Sequence, residues 1–130
     1  MNGKKYLLDT NIIIALFAQE MAVQARLAET PATFISLFTV GELYYGARKS
    51  KQTEKNIQRI DEFVANTLVL PCDTQTAQHY GQIKLMLRKK GRPIPENDIW
   101  IAALAQQYQL TLVSRDRHFS AIDDLMLETW

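Results

Sequence analysis

The first apolar run sets the pattern for the chain. Tyr6-Leu7-Leu8 is apolar without polar alternation, as in a strand buried on both faces. Asp9 interrupts it, Thr10 and Asn11 are good N-cap residues, and an apolar stretch of helical length follows through Phe17. The pattern predicts a strand over residues 4–8, a helix over 11–18 and a short helix over 20–29 that Pro31 breaks. Thr33-Phe34-Ile35-Ser36 reads as a second strand. Thr39-Val40-Gly41-Glu42 has the S/T-x-x-E form of a capping box and predicts the start of a helix that ends near Arg48. Ile57, Ile60, Phe63 and Val64 form an apolar stripe on a charged helix over 53–66.

Thr67-Leu68-Val69-Leu70 predicts a third strand, stopped by Pro71. Asp73 or Thr74 caps the next helix, whose face is marked by Ala77, Tyr80, Ile83 or Lys84, and Leu87, and which Gly91 ends. Arg92-Pro93-Ile94-Pro95 must be extended, because each proline disfavours helix in the residue before it. Glu96-Asn97-Asp98 opens a helix through Ala105. Thr111-Leu112-Val113-Ser114 is a fourth strand, residues 115–118 form the turn leaving it, and 125–128 hold a short final strand. Short apolar strands alternating with helices define an α/β fold, with a mostly parallel sheet of four to five strands and helices on both faces.

Composition narrows the class. The 130 residues suit one domain, and 47% apolar with 22% charged residues predicts folding around a core. Net charge is +1, so any attraction for nucleic acid has to come from local patches. Cys72 is the one cysteine, which excludes an intrachain disulfide and a cysteine zinc cluster and predicts a small inert side chain near a strand end. No apolar run reaches membrane-spanning length, and the start, Met1-Asn2-Gly3-Lys4-Lys5, lacks a signal-peptide core. These features predict a soluble cytoplasmic protein with no membrane association.

Four acids then draw attention. Asp9 follows the first strand, Asp116 follows the fourth, and Glu42 and Asp98 fall in first turns of predicted helices. In a parallel sheet, strand C-termini and the helix N-termini that follow them share one edge, where ligands bind. Carboxylates gathered there repel, and a divalent cation is the simple remedy. Mg²⁺ and Mn²⁺ prefer oxygen ligands and retain water, the apparatus of phosphodiester hydrolysis. Each acid also has an ordinary reading: Asp9 as a capping or turn residue, Glu42 completing the Thr39 capping box, Asp98 favouring its helix dipole, Asp116 as a turn residue. Those readings leave the common edge unexplained.

Leu7-Leu8-Asp9-Thr10-Asn11, then Thr39-Val40-Gly41-Glu42-Leu43 with Gly46, then Asn97-Asp98-Ile99-Trp100-Ile101-Ala102-Ala103, then Ser114-Arg115-Asp116-Arg117-His118-Phe119 resemble the four acidic blocks of PIN domains. The resemblance is to the VapC-type toxin branch of bacterial toxin–antitoxin pairs and spans essentially the whole chain, one PIN domain over 1–130. It implies a metal-dependent endoribonuclease with a Rossmann-like sheet, usually dimeric and held inactive by a cognate antitoxin. Asp9, Glu42, Asp98 and Asp116 match the catalytic acids; Asp9, Asp98 and Asp116 are the implied ligands of Mg²⁺ or Mn²⁺. Thr10, Asn11 and Ser114 match polar positions that hold the acids or orient water.

Positive charge concentrates in two segments, Arg48, Lys49, Lys51, Lys55 and Arg59, and Lys84, Arg88, Lys89, Lys90 and Arg92. Each reads as a solvated helix face or, beside a nuclease edge, as contacts to RNA phosphates; Lys49, Lys51, Arg88, Lys89, Lys90 and Arg92 are the RNA-binding candidates. Tyr44, Tyr45 and Trp100 read as core or interface before base-stacking, and His79 and His118 as surface or turn residues before metal ligands. Ile12 to Phe17 and the Tyr44-Tyr45 helix predict a groove for an antitoxin helix. A haloacid-dehalogenase phosphatase would need an acid where Asn11 stands, and the acids and lysine of a response-regulator receiver are not evident. The rival from another class is a non-catalytic RNA- or partner-binding PIN-like module.

Overall fold

A computed structural model of the chain describes residues 4–30 and 32–130. The break expected at Pro31 and the residues Met1-Asn2-Gly3 lie outside the described residues. The elements are β1 (Tyr6–Leu8), α1 (Thr10–Phe17), α2 (Met21–Glu29), β2 (Thr33–Ser36), α3 (Leu37–Lys49), α4 (Thr53–Ala65), β3 (Leu68–Leu70), α5 (Thr74–Lys90), α6 (Glu96–Gln107), β4 (Thr111–Val113) and β5 (Leu127–Glu128). A 3₁₀ turn over Arg117–Ala121 lies between β4 and β5. The strands form one five-stranded sheet in the order β3-β2-β1-β4-β5, and every neighbouring pair is parallel. The fold is therefore α/β, as the strand–helix alternation predicts.

Strand side chains alternate between the two faces of the sheet, and each face has its own core. Leu7 of β1 and Leu112 of β4 pack with Ile83 and Leu87 of α5, Ile99 to Ala105 of α6, and Phe119. Tyr6, Leu8, Ile35 and Val113 point the other way, onto Ile12 and Ile13 of α1, Val23 of α2, Val40 and Leu43 of α3, and Ile60 of α4. β1 and β4 are the central strands and are buried throughout, which is why their sequences run apolar without alternation. Helices α5 and α6 pack antiparallel: Thr76 and Asp73 meet Gln107 at one end, and Tyr80 and Lys84 meet Glu96 towards the other.

The helix starts differ from the sequence expectation in two places. Asp9, not Thr10 or Asn11, is the N-cap of α1; its Oδ1 accepts the Thr10 N–H at 2.8 Å. Ser36, not Thr39, caps α3, its Oγ accepting the Thr39 N–H at 3.0 Å. The helix thus begins directly from β2, and the Thr39–Glu42 capping box does not form. Glu42 lies in the second turn of α3 instead of its first, with a side chain free of capping duty. In α5 the buried positions are Thr76, Ile83 and Leu87, while Ala77 is exposed. Thr76 earns burial through polar bonds to Asp73 and Gln107, which hydrophobic periodicity cannot register. Residues 125–126 precede β5, and Arg117 and His118 enter the 3₁₀ turn.

Two caps predicted from sequence are present. Asp73 forms a reciprocal capping box with Thr76, and Gly91 closes α5 in the left-handed conformation at φ 67°. A Cβ at Gly91 would meet nothing within 4 Å, so the cost of Gly91→Ala is backbone strain alone. The variant should lose about 1 kcal/mol and roughly 3 °C of melting temperature. Thermal unfolding by circular dichroism checks this; an unchanged midpoint would contradict the assignment of the cap.

Candidate metal centre at the acidic edge

β1, β2 and β4 all end at one edge of the sheet, and α1, α3 and the 3₁₀ turn leave from it. Asp9 stands immediately after β1, Ser114 immediately after β4, and Asp98 in the first turn of α6. One open groove is lined by Asp9, Thr10, Asn11, Glu42, Asp98, Asp116 and His118, among others. The structure therefore brings all four predicted acids to one concave surface.

Asp9 is buried, and both its oxygens hold donors. Oδ1 takes the Thr10 N–H and Oδ2 takes the Ser114 hydroxyl at 2.7 Å. Burial still outweighs these bonds and pushes its carboxyl above the ordinary value, helped by the charges of Glu42 and Asp116. Asp98 is pushed up to about 6, first by burial, with Asp9 and Asp116 adding to it and the His118 hydrogen bond opposing. Asp116 is exposed, so it meets solvent where Asp9 does not. Glu42 accepts the Thr10 hydroxyl at 2.6 Å.

Ser114 ties the floor together. A hydroxyl has one proton and two lone pairs. Ser114 gives its proton to Asp9 and accepts from the Asp116 N–H at 3.0 Å and from Asn11 Nδ2 at 3.4 Å. Asn11 Oδ1 in turn accepts the Arg115 N–H at 3.3 Å. Thr10, Asn11 and Ser114 thus hold the acids in place. Arg115 is drawn off to a two-pronged pair with Glu20 and to the Trp130 carbonyl, so it does not neutralise the groove.

His118, which reads from sequence as a surface or turn residue, reaches the centre. Its Nε2 lies 2.5 Å from Asp98 Oδ2 and 3.6 Å from Asp116 Oδ2. One ligand atom each from Asp98, Asp116 and His118 lies within 4.8 Å of the others. Asp9 and Glu42 face the same groove outside that tight group. The signal for His118 was its place two residues after Asp116, with Asp116 extended so that its successor enters the turn beside it. Clustered carboxylate oxygens with one imidazole nitrogen are the donor chemistry of a divalent cation.

Other candidates sit elsewhere. Trp100 is half-buried and stacked on Tyr80 at 4.0 Å and on Phe38 at 5.9 Å, so it packs within the protein. Tyr44 bonds Asp61, and Tyr45 is exposed under Lys49. Lys90 is tied to the Ala121 carbonyl and Asp123, and Arg59 to the Phe17 carbonyl. Arg88, Lys89 and Arg92 are exposed where α5 gives way to the loop that leads to α6 and Asp98. Lys49 is the last residue of α3, about 10 Å along its axis from Glu42, and Lys51 lies past that end. Cys72 is exposed after β3, and burial and the neighbouring Asp73 raise its thiol, consistent with an inert group.

A parallel α/β sheet with carboxylates converging beyond its strand ends defines the class as a strand-edge, oxygen-rich centre suited to phosphate chemistry. The PIN domain family matches residues 6–125. Ribonuclease VapC2 of Haemophilus influenzae (strain Rd) is 40% identical over 129 residues, 97% of this chain and 98% of that protein. The tRNA(fMet)-specific endonuclease VapC of Shigella flexneri is 37% identical over 129 residues, with the same coverage of 97% and 98%. The DNA-bound VapBC structure from Salmonella typhimurium aligns with TM-score 0.90 and 35% identity over 98% of each chain. VapBC2 of Rickettsia felis, bound to a promoter fragment, aligns with TM-score 0.89 and 32% identity over 96% of this chain and 98% of that one. The chain belongs to the PIN-domain family, in its VapC ribonuclease branch.

The raised carboxyl of Asp98 makes a prediction for the metal-free protein. With its folded value near 6 and its unfolded value near 3.8, the folded state binds more protons between these limits. Stability should therefore fall as pH rises from about 4 to 6 and stay reduced above. In chelator at pH 7.5, Asp98→Asn should be more stable than wild type by about 1–2 kcal/mol, after discounting for its open side, and the gap should close towards pH 4. Thermal unfolding at both pH values checks this; a destabilised variant at pH 7.5 would contradict the electrostatic account.

Proposed function

We propose that this chain is a divalent-metal-dependent endoribonuclease acting as the toxin of a toxin–antitoxin pair. The observation that carries the reading is the meeting of Asp9, Glu42, Asp98 and Asp116 in one groove with, among the described residues, no lysine or arginine lining it. Asp98 and Asp116, with His118 beside them, and Asp9 behind them would hold Mg²⁺ or Mn²⁺. When bound, the cation would make a water acidic enough to give up a proton and so become a nucleophile towards phosphorus, and would neutralise charge on the phosphate. Asp9 is the fixed member of the set, because Thr10 and Ser114 lock both its oxygens. Asp116 is the exposed member and stands where a substrate phosphate enters. Glu42 lies across the groove, held by Thr10, in a position to orient water. Its role as a proton acceptor follows from its carboxylate chemistry.

RNA is the substrate this reading requires, and the name of the Shigella relative makes tRNA the first one to try. Arg88, Lys89 and Arg92 are exposed at the end of α5 and in the loop before α6, where they are available for phosphate contacts. Lys49 and Lys51 are more remote, and Lys90 already has partners within the protein. The antitoxin site is the apolar groove lined by Ile14, Phe17, Leu43, Gly46, Ala47 and Ile60, with Glu42 at its end. This corrects the expected walls: Ile12 and Ile13 are core residues, and α4 supplies the side that Tyr44 and Tyr45 do not. Ile14 and Glu42 line both this groove and the acidic one, so a partner helix could cover the two together. An arginine from that partner would pair with the carboxylates in place of the cation. A homodimer belongs to the same reading and follows from the family resemblance.

Labelled RNA incubated with Mg²⁺, with Mn²⁺ and with chelator tests the activity. Cleavage is expected with either cation and none with chelator, and Asp9→Asn should lower the rate at least ~100-fold with the fold intact. Binding without cation-dependent cleavage would return the chain to the non-catalytic module. Expressed alone, wild type should arrest growth, Asp9→Asn should not, and the product of a neighbouring small reading frame should relieve the arrest.

The RNA path gives a separate prediction. Charge reversal at Lys89 and Arg92 should weaken RNA binding and reduce the salt slope by about 2, since roughly one counterion is released per phosphate contact. Reversal at Lys49 and Lys51 should change it less. Filter binding across a salt series reads both; equal slopes for wild type and the Lys89/Arg92 variant would make that segment a solvated face.

A further inference from the structure

Ser36, Thr39 and Thr10 place three hydroxyls in a row behind Glu42. Ser36 ends β2 and caps α3, Thr39 lies in the first turn of α3, and Thr10 opens α1. Ser36 and Thr39 are both 0% exposed. The Thr10 hydroxyl donates to Glu42 Oε1 at 2.6 Å, Thr10 Oγ1 lies 3.2 Å from Thr39 Oγ1, and Thr39 Oγ1 lies 3.4 Å from Ser36 Oγ.

The polarity of the row follows from proton counting. A carboxylate only accepts, and each hydroxyl has one proton. The proton of Thr10 is committed to Glu42, so the contact between Thr10 and Thr39 runs from Thr39. The proton of Thr39 is then committed to Thr10. Ser36 Oγ accepts the Thr39 N–H at 3.0 Å, which leaves its own proton for Thr39 Oγ1. All three bonds point towards the carboxylate, and hydrogen bonds in such a chain polarise one another.

Helix capping does not account for the middle member. Ser36 caps α3 through the backbone N–H of residue 39, which any residue except proline supplies. Threonine is a poorer helix former than leucine or alanine, and a buried hydroxyl costs stability unless it is bonded. The Thr39 side chain spends that cost on two other hydroxyls, one of which holds an acid of the groove.

We propose that Thr39 is a positioning residue for Glu42, acting by orienting the Thr10 hydroxyl. The inference rests on the reading of the acidic edge as a nuclease centre. Without the Thr39 hydroxyl, the Thr10 oxygen loses the donor that holds and polarises it, and its grip on Glu42 within the groove loosens. RNA affinity, set by the cationic side chains at the end of α5 and not by this row, stays as it was.

The test uses the full chain, a labelled RNA that wild type cleaves, and single-turnover kinetics at saturating Mn²⁺. Thr39→Val removes the hydroxyl at nearly constant volume and should lower the cleavage rate by about 10–100-fold, with RNA affinity within about twofold of wild type. Thr39→Ser keeps the hydroxyl and should stay within about threefold. In a Glu42→Gln background, Thr39→Val should cost nothing further, because its effect passes through Glu42. A wild-type rate for Thr39→Val, or a loss that adds in full to that of Glu42→Gln, overturns the proposal. Circular dichroism establishes that the variants are folded. Should Thr39→Val not fold, Thr10→Val breaks the same row at its half-exposed end and must show the same non-additivity with Glu42→Gln. Asp9→Asn separates the two levels: if it cleaves at the wild-type rate, the nuclease reading fails, whereas an inactive Asp9→Asn beside a fully active Thr39→Val sinks only the role given to Thr39.

Discussion

Like-charge repulsion at one edge of the sheet is the constraint on which the rest of the structure depends. Asp9, Glu42, Asp98 and Asp116 share a groove, and burial drives the first and third towards protonation. Among the described residues no lysine or arginine lines the groove to relieve this, and His118 opposes it at Asp98. Arg115, next to Asp116 in the chain, is engaged by Glu20 and the Trp130 carbonyl, away from the acids. Asp9 and Glu42 are held by neutral donors: the Thr10 N–H and hydroxyl, the Ser114 hydroxyl, and the row that runs back through Thr39 to Ser36. Neutral donors orient a carboxylate without cancelling its charge, and they leave the site available to an external cation.

The fold supplies the rigidity that this requires. Asp9 follows a central strand that is buried on both faces, and Ser114 follows its parallel neighbour, paired in register through Leu8 and Val113. The Asp9 N–H bonds the Val113 carbonyl at 2.9 Å, so the ladder continues to the residue that carries the acid. The two apolar cores clamp this sheet from both sides, and α6 brings Asp98 in above a face made of Ile99 to Ala105. Repulsion at the edge is thus offset by packing that lies behind it.

Much of this was legible in the sequence because it rests on local rules. The unbroken apolar run Tyr6-Leu7-Leu8 marked a central strand, the Pro71 and Gly91 boundaries fell where the chain turns, and the ordered acidic blocks located the edge. What escaped was long-range. Thr39 with Glu42 fits a capping box, yet Ser36 takes the cap because β2 ends directly on α3, and Glu42 is released to the groove. Ala77 fits the stripe of α5, yet Thr76 is buried through a bond to Gln107, a residue of another helix. His118 carries no second histidine at ligand spacing, and only the turn after β4 brings it to Asp98. Charge runs likewise say nothing of partners: Lys90 and Arg59 are spent on carbonyls of distant segments.

The most direct measurement of the central claim is anomalous diffraction from wild-type crystals soaked in Mn²⁺ at neutral pH, where manganese identifies itself by its own signal. The account predicts a peak in the acidic groove within about 2.3 Å of oxygens from Asp98 and Asp116, with Asp9 facing it. A groove without a peak at saturating Mn²⁺, in crystals where the groove is open to solvent, would contradict it.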